Sequence, residues 1–475
     1  TPRDDKDRPR LMLRLAENYV ELEASAFRDK VIAEEAAMRA RKKAPQQAAK
    51  HKKEAAKAIK VVKGARKNAI KYYSALADQY PRWFRDPGAA EGNRGCIDEA
   101  LYYLAYEHEQ AGDLDEARKV YLELTEKWKT SKYVPSAYLA FGELFFQDAQ
   151  GDPSKWEIAG NFYKKVLEYP APDNRLWGYA AYKLGYVHWN LGDHGKAIDA
   201  FKQVIDFGQR YASLPNAAGL AKAARRDIIP VYALKGDPKK AYAFFKPLSG
   251  ESNGDDATFA MMSDLGQNLL DTGHYAEAIV LYEDLIKRDR NGSESCAHRA
   301  KISEAVMATK GGDKKPIVAA LEQQLSTYQR FAAAGHDDKA KLTCANLTAS
   351  LLTETAMASR REAVGAGGVR GDGDQATLDQ AERLYDLVHD TSIKAQFVAI
   401  RFPHIVKQDW PTTSKVAFAH ANLLFSQKRW ERCGPAFDRV VADDPKGDVA
   451  AEAAYAAVLC YRNAFHQDHD GKSHL

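Results

Sequence analysis

No run of apolar residues in this 475-residue chain approaches the roughly 18 to 20 that a membrane-spanning helix needs, so no segment is expected to cross a bilayer. Catalytic signatures are equally scarce. There is no GxxxxGK[ST] phosphate loop, no glycine-rich strand-to-helix turn, no HExxH and no GxSxG. Their absence removes the usual sequence grounds for a nucleotide site, a zinc hydrolase or a serine nucleophile. No catalytic residue, cofactor or metal ligand is expected, and the chain reads as a non-enzyme. Sustained period-two alternation between hairpin turns is missing too, which argues against β-sheet. The five cysteines, Cys96, Cys296, Cys344, Cys433 and Cys460, include no CxxC pair. That scatter argues against zinc and against a disulfide framework, and the cysteines are expected to be small buried helix residues. The chain opens at Thr1-Pro2-Arg3 without an apolar leader, so removal of a targeting segment ahead of it is allowed for. The histidines and acids of the tail, His466, Asp468, His469, Asp470 and His474, are read as a frayed polar terminus rather than a metal site.

What is present is self-similarity at intervals near 40 residues. The clearest copy runs from Tyr179 to Phe207: Leu184-Gly185 and His188 on a first helix, a turn at Gly192-Asp193, then Ala197, Phe201 and Val204 on a second. Apolar residues recur at helical spacing, small Gly185 and Ala197 let the paired helices approach, and Gly192 ends the first helix. Leu104-Ala105 with Gly112-Asp113, Ala117 and Tyr121 repeats the frame, as do Leu265-Gly266, Gly273, Ala278 and Tyr282, and Phe141-Gly142 with Ala159 and Tyr163. Tyr232, Gly236, Ala241 and Phe245 form a weaker unit, interrupted by Pro230. The alanine-type position falls at Ala69, Ala117, Ala159, Ala197, Ala241, Ala278, Leu321, Ala381 and Cys433, at intervals of 37 to 60 residues.

On these residues the chain resembles the tetratricopeptide repeat family, whose usual period is about 34 residues. The resemblance implies an all-α, right-handed helical-repeat solenoid of about eight or nine pairs, irregular because its helices or loops exceed the consensus length. His188 stands where the family usually has a buried Tyr and is expected to be a satisfied core histidine. The family's function is to hold other proteins, so a protein-protein interaction scaffold or adaptor is expected. The long-helix character is similar to scaffolds of bacterial cell envelopes, such as those of outer-membrane assembly, Tol-Pal coordination, gliding motility or secretion. A periplasmic or envelope-associated location follows from that likeness, with a cytoplasmic one as the alternative.

Leu15-Ala16 and Tyr19 occupy first-helix positions of a repeat whose second helix carries Ala69, Tyr73 and Leu76. The residues between are too many for a turn and too polar for a domain. Heptad-spaced Ala26, Ala33 and Ala40 lead out and Ala48, Ala55, Val62 and Ala69 lead back, with Pro45 at the reversal, the pattern of an antiparallel coiled-coil hairpin. An extension over about residues 20–66 should project by roughly 30 Å at 1.5 Å per residue. Between Arg28 and Lys67 it carries fourteen Lys or Arg against four Asp or Glu, whereas the whole chain has a net charge of +4. Lys42, Lys43, Lys50, Lys52, Lys53, Lys57, Lys60 and Lys63 are expected to face solvent. A solvated face accounts for them, and so does contact with an acidic protein, an acidic membrane surface or nucleic acid. Nucleic acid is the least favoured, because His51 alone offers a stacking ring there.

The resemblance also implies that outward positions of the first helices line a concave groove. These are Tyr102, Tyr103 and Tyr106 in one repeat and Tyr179, Tyr182, Lys183, Tyr186, Trp189 and Asn190 in another. Such rings suit a protein contact, although packing between neighbouring first helices accounts for them equally. The matching positions near Leu265, among them Ser263 and Asp264, are polar, so a groove partner is expected on the N-terminal half.

Three segments are therefore expected: 1–95, a helix pair extended into the basic hairpin; 96–290, well-formed repeats; and 291–475, divergent repeats with a Gly-rich loop at 364–375 and a terminal helix. Other proteins are the expected partners and no small-molecule substrate is. Two alternatives stand beside this reading: a basic arm whose main task is nucleic-acid or membrane binding, and the helical-repeat domain of a cell-wall enzyme.

Overall fold

The computed structural model describes residues 5–83, 97–250, 254–309, 313–366, 369–389 and 410–472. The fold is all-α, a helical-repeat solenoid in which consecutive helices pair. The chain divides into two compact units, Thr1–Val231 and Tyr232–Leu475.

In the first unit α1 (Arg8–Ala40) pairs with α2 (Pro45–Gln79), α3 (Ile97–Ala111) with α4 (Leu114–Lys127), α5 (Val134–Asp148) with α6 (Lys155–Leu167), and α7 (Trp177–Asn190) with α8 (His194–Arg210). Helix α9 (Ala217–Lys235) runs through Pro230 without a break, where the sequence suggested an interruption. Its flanks, Ile228, Ile229 and Val231, are all buried, and their burial holds the helix across the missing donor. The second unit contains the short α10 (Ala241–Phe245), then α11 (Asp256–Asp271) with α12 (Tyr275–Arg288), α13 (Ser295–Thr309) with α14 (Lys314–Ala333), and α15 (Asp338–Val364) with α16 (Gln375–Val388). The last pair is α17 (Thr413–Ser426) with α18 (Trp430–Asp443), against which α19 (Ala450–Lys472) packs.

Turn chemistry sets the pair boundaries. Gly112, Gly192 and Gly273 have φ of 87°, 75° and 79°, a left-handed conformation that ends a helix at little cost only without a Cβ. Asp193 then caps α8 by accepting from the Lys196 N–H at 3.2 Å, relieving one orphan donor.

All nine alanine-type positions are 0% exposed, so the register read from the sequence holds at each of them. A small residue on the first helix lies under a ring of the second. A Cβ on Gly142 would meet Tyr163 at 2.6 Å, on Gly185 Phe201 at 2.8 Å, and on Gly266 Tyr282 at 2.5 Å.

Three readings need correction, and the Gly-rich loop has structure of its own. Leu15 is 37% exposed, whereas Leu13 is 7% exposed; one turn before Ala16, Leu13 shares its face, and Leu15 lies about 100° away. In the hairpin seam Ala37 is buried and Ala40 only half-buried, because an i+4 step from Ala33 keeps the side chain inside where the heptad step carries it to the last residue of α1. The Gly-rich loop contains a two-residue antiparallel ladder, β1 (Gly365–Ala366) with β2 (Val369–Arg370), and is tied back by the Asp372 and Gly373 N–H groups on the Glu362 and Ala363 carbonyls. Four cysteines form two disulfides, Cys296–Cys344 and Cys433–Cys460, with Cα separations of 5.8 and 5.9 Å. The first joins α13 to α15 and the second α18 to α19. Spacing along the chain could not reveal them, since the partners lie 48 and 27 residues apart and only helix stacking brings them together. Cys96 lies outside the described residues, as do the side chains of the tail beyond His466.

Candidate functional site

The groove positions of α7 are occupied by contacts to neighbouring helices. Glu143 on α5 accepts from the Tyr163 hydroxyl of α6 at 2.7 Å and from Tyr179 at 3.5 Å, and it pairs with Lys183 Nζ at 3.2 Å. That ammonium also sits 3.5 Å from the Phe146 ring centroid, a cation–π contact inside the stack. On the other side of α7, the Tyr182 and Tyr186 hydroxyls both donate to Asp227 on α9, Tyr186 at 2.7 Å. Asp227 is 7% exposed and pairs with Arg226 at 2.7 Å. Burial opposes its charge, but the Arg226 guanidinium and the two hydroxyls outweigh burial and hold the carboxyl below its usual range. Burial and the neighbouring carboxylates raise the tyrosine pKa values in turn, Tyr179 to about 12.

Toward the N-terminus Tyr102 stacks on Tyr133 with centroids 5.0 Å apart, and Tyr103 meets the same ring edge-on at 6.2 Å. Tyr106 is 40% exposed. Trp189 is half-buried and stacks on Tyr186 at 5.9 Å, while Asn190 is exposed and donates to the Tyr186 carbonyl at 2.9 Å. The stripe is thus two groups of rings, one gathered on Tyr133 and one on α7 between Glu143 and Asp227, with Tyr106 and Asn190 exposed and Trp189 half-buried. Glu143 and Asp227 organise it, and no periodic signal marks either one. His188 is half-buried, and burial lowers its pKa.

The arm is built as a two-helix stem. Ala26, Ala33, Ala37, Ala48, Ala55 and Val62 are buried, and Pro45 opens α2 after the turn. The core cluster that holds Leu13, Ala16, Ala69 and Tyr73 includes none of these seam residues, so the fully buried seam of the stem is five alanines and one valine. Lys42, Lys43, Lys50, Lys52, Lys53, Lys57, Lys60 and Lys63 are all exposed. None pairs with a carboxylate among the described residues; the one acid of that stretch, Glu54, is engaged by His51 at 2.9 Å. On α1 the large side chains Phe27, Ile32 and Met38 are 49%, 66% and 69% exposed.

At the foot of the arm Arg66 joins Glu23 at 3.0 Å and stands 3.8 Å from Glu107 of α3. Glu107 is 1% exposed, and burial together with the adjacent Glu23 pushes its carboxyl up to about 8.

Two family models match this chain, both described as tetratricopeptide repeat, over residues 99–131 and 179–207. The chain carries tetratricopeptide repeats. The matched spans fall on α3–α4 and α7–α8, the pairs that present the aromatic stripe. Tetratricopeptide repeats point generally to a protein-protein interaction scaffold. No curated protein matches the sequence. Among the described residues no helix is long and apolar enough to cross a membrane, and no group of three or more His, Cys, Asp or Glu is placed to hold a metal ion.

Proposed function

We propose that this chain is a non-enzymatic scaffold that holds partner proteins on two surfaces, the aromatic stripe around Tyr106 and Trp189 and the basic arm, within a multi-protein bacterial envelope assembly. The observation that carries the reading is the arm itself: eight exposed lysines without carboxylate partners among the described residues, on a stem whose buried seam is alanine and valine. Like charges at this density repel, and water and counterions screen them in the free chain. An acidic surface would replace those counterions and gain the electrostatic attraction.

Phe27, Ile32 and Met38, exposed on α1 of the same arm, favour a partner that offers apolar as well as acidic groups, which a protein surface does and a phosphate backbone does not. An acidic membrane surface is the second reading, since it too offers both. The two disulfides support a location outside the reducing cytosol, because such bonds persist in oxidising compartments.

The test is affinity purification from envelope extracts with the intact chain and with a chain lacking residues 28–67, beside titrations of RNA and of acidic vesicles against salt. The reading expects defined proteins retained by the intact chain and lost with the arm. Retention of no protein, together with RNA or vesicle binding that falls steeply with salt, would replace it with the second reading or with a nucleic-acid role.

A further inference from the structure

Helix α1 has a second apolar face that α2 does not cover. Its packed face carries Leu13, Ala16, Ala26, Ala33 and Ala37, whereas Leu11, Leu15, Leu22 and Ile32 are 37% to 66% exposed. The positions between them, Asn18, Ser25 and Asp29, are exposed as well. Together these residues advance by alternate steps of four and three, the spacing of the inner seam of a coiled coil. The packed face lies about a quarter turn around the helix, so α2 stands beside this seam and not over it. The step from Ala26 to Ala33 toward α2 is also a heptad, so both faces follow one supercoil.

The charges along the open side of the seam point to the occupant. Arg14, Glu21, Arg28 and Glu35 recur every seven residues with alternating sign, and all four are exposed. Glu21 and Arg28 form no ion pair among the described residues. Arg14 and Glu35 pair only within α1, with Glu17 at 3.8 Å and Arg39 at 3.3 Å. Such a row is complementary to itself when two copies of α1 run antiparallel. Setting Leu15 against Ile32 of a second copy also sets Leu11 against its Ala36 and Leu22 against its small Ser25. Asn18 then meets Asp29, an amide donor facing a carboxylate acceptor. In the same register Glu21 meets Arg28 and Arg14 meets Glu35, each twice by two-fold symmetry. Other arrangements oppose like charges. A shift of one heptad sets Arg14 against Arg28 in one direction and Glu21 against Glu35 in the other, and a parallel pair stacks Asp29 on Asp29.

We propose that this face of α1 binds a second copy of the chain, forming a two-fold antiparallel coiled coil over about residues 11–36. Flanking charges of this kind set partner and orientation, and a polar layer such as Asn18 with Asp29 fixes register at a cost in stability. Each copy contributes only four large side chains, so the dimer belongs to the weak, reversible class and the dilute chain is monomeric. The seam uses none of the arm's lysines and leaves Phe27 and Met38 outside it, so the dimer does not depend on an acidic partner.

The test is sedimentation equilibrium of the full chain from about 1 to about 100 µM, the range in which a weak complex dissociates. A reversible monomer–dimer equilibrium is expected. Leu15→Ser combined with Leu22→Ser, both exposed positions, should leave the circular dichroism and melting temperature of the dilute chain unchanged and abolish the dimer. Glu21→Arg alone and Arg28→Glu alone should each weaken it at least about ten-fold, since like charges brought together across an interface are strongly penalised. Mixed in equal amounts, these two variants should pair with each other about as tightly as the native chain pairs with itself, because each then meets the opposite sign at both central positions. A chain that stays monomeric throughout the range would overturn the proposal and leave the face to a helix of another protein. A dimer indifferent to the double serine substitution, or charge variants that do not recover on mixing, would overturn it equally.

Discussion

Gly178 shows how little room a repeat leaves at its helix crossings. A Cβ there would lie 2.3 Å from the Phe207 ring, and that ring is 4% exposed and has nowhere to retreat. Gly178→Ala should therefore overpack the α7–α8 crossing and cost about 1–3 kcal/mol, read as a lowered midpoint of urea unfolding. Gly64→Ala, where nothing lies within 4 Å, serves as the comparison and should be neutral or slightly stabilising, since the change favours helix. Glu107 makes a prediction of a different kind. Its carboxyl is raised from 4.5 to about 8, so the folded chain holds that proton more tightly than the unfolded chain. The stability linked to it is complete below about pH 4.5 and is lost as pH rises to about 8. Glu107→Gln should remove this dependence: the melting temperatures of the two chains should converge near pH 5 and diverge by pH 9 in favour of the variant. A gap that is the same at both pH values would contradict the assignment.

At the scale of elements, the sequence was most legible where each helix repeats one task. The inward residue of every second helix could be found from spacing because a helix pair must bury it, and nine such positions are fully buried. What spacing could not supply was anything made by two helices distant in the chain. The Cys296–Cys344 and Cys433–Cys460 bonds and the Glu143 and Asp227 hubs all require knowing which faces meet. The aromatic stripe lies between these cases: its rings were visible as a pattern, but the division into rings that tie α7 to α5 and α9 and rings open to solvent needed coordinates. The second disulfide carries its own prediction, because it fastens the last helix to the stack. Cys433→Ala with Cys460→Ala should lower stability by about 2–4 kcal/mol and should raise proteolysis within α19 first. Mass spectrometry of the intact chain after alkylation, with and without reductant, checks the bonds directly.

For the molecule as a whole, the division of labour is one of charge and burial. Positive charge is concentrated in a stem with an alanine seam, and apolar burial is concentrated in the repeats. Local stability should follow the same division, since openings are easiest where few large side chains are buried. Amide hydrogen exchange of the free chain, followed by mass spectrometry, measures this most directly. The account predicts that peptides from residues 26–62 exchange at least about a hundred-fold faster than those from α4, α6, α8 and α12, whose alanine-type positions are sealed under neighbouring helices. Protection of the stem equal to that of the second helices would mean that it belongs to the packed core, and would contradict its role as an exposed arm.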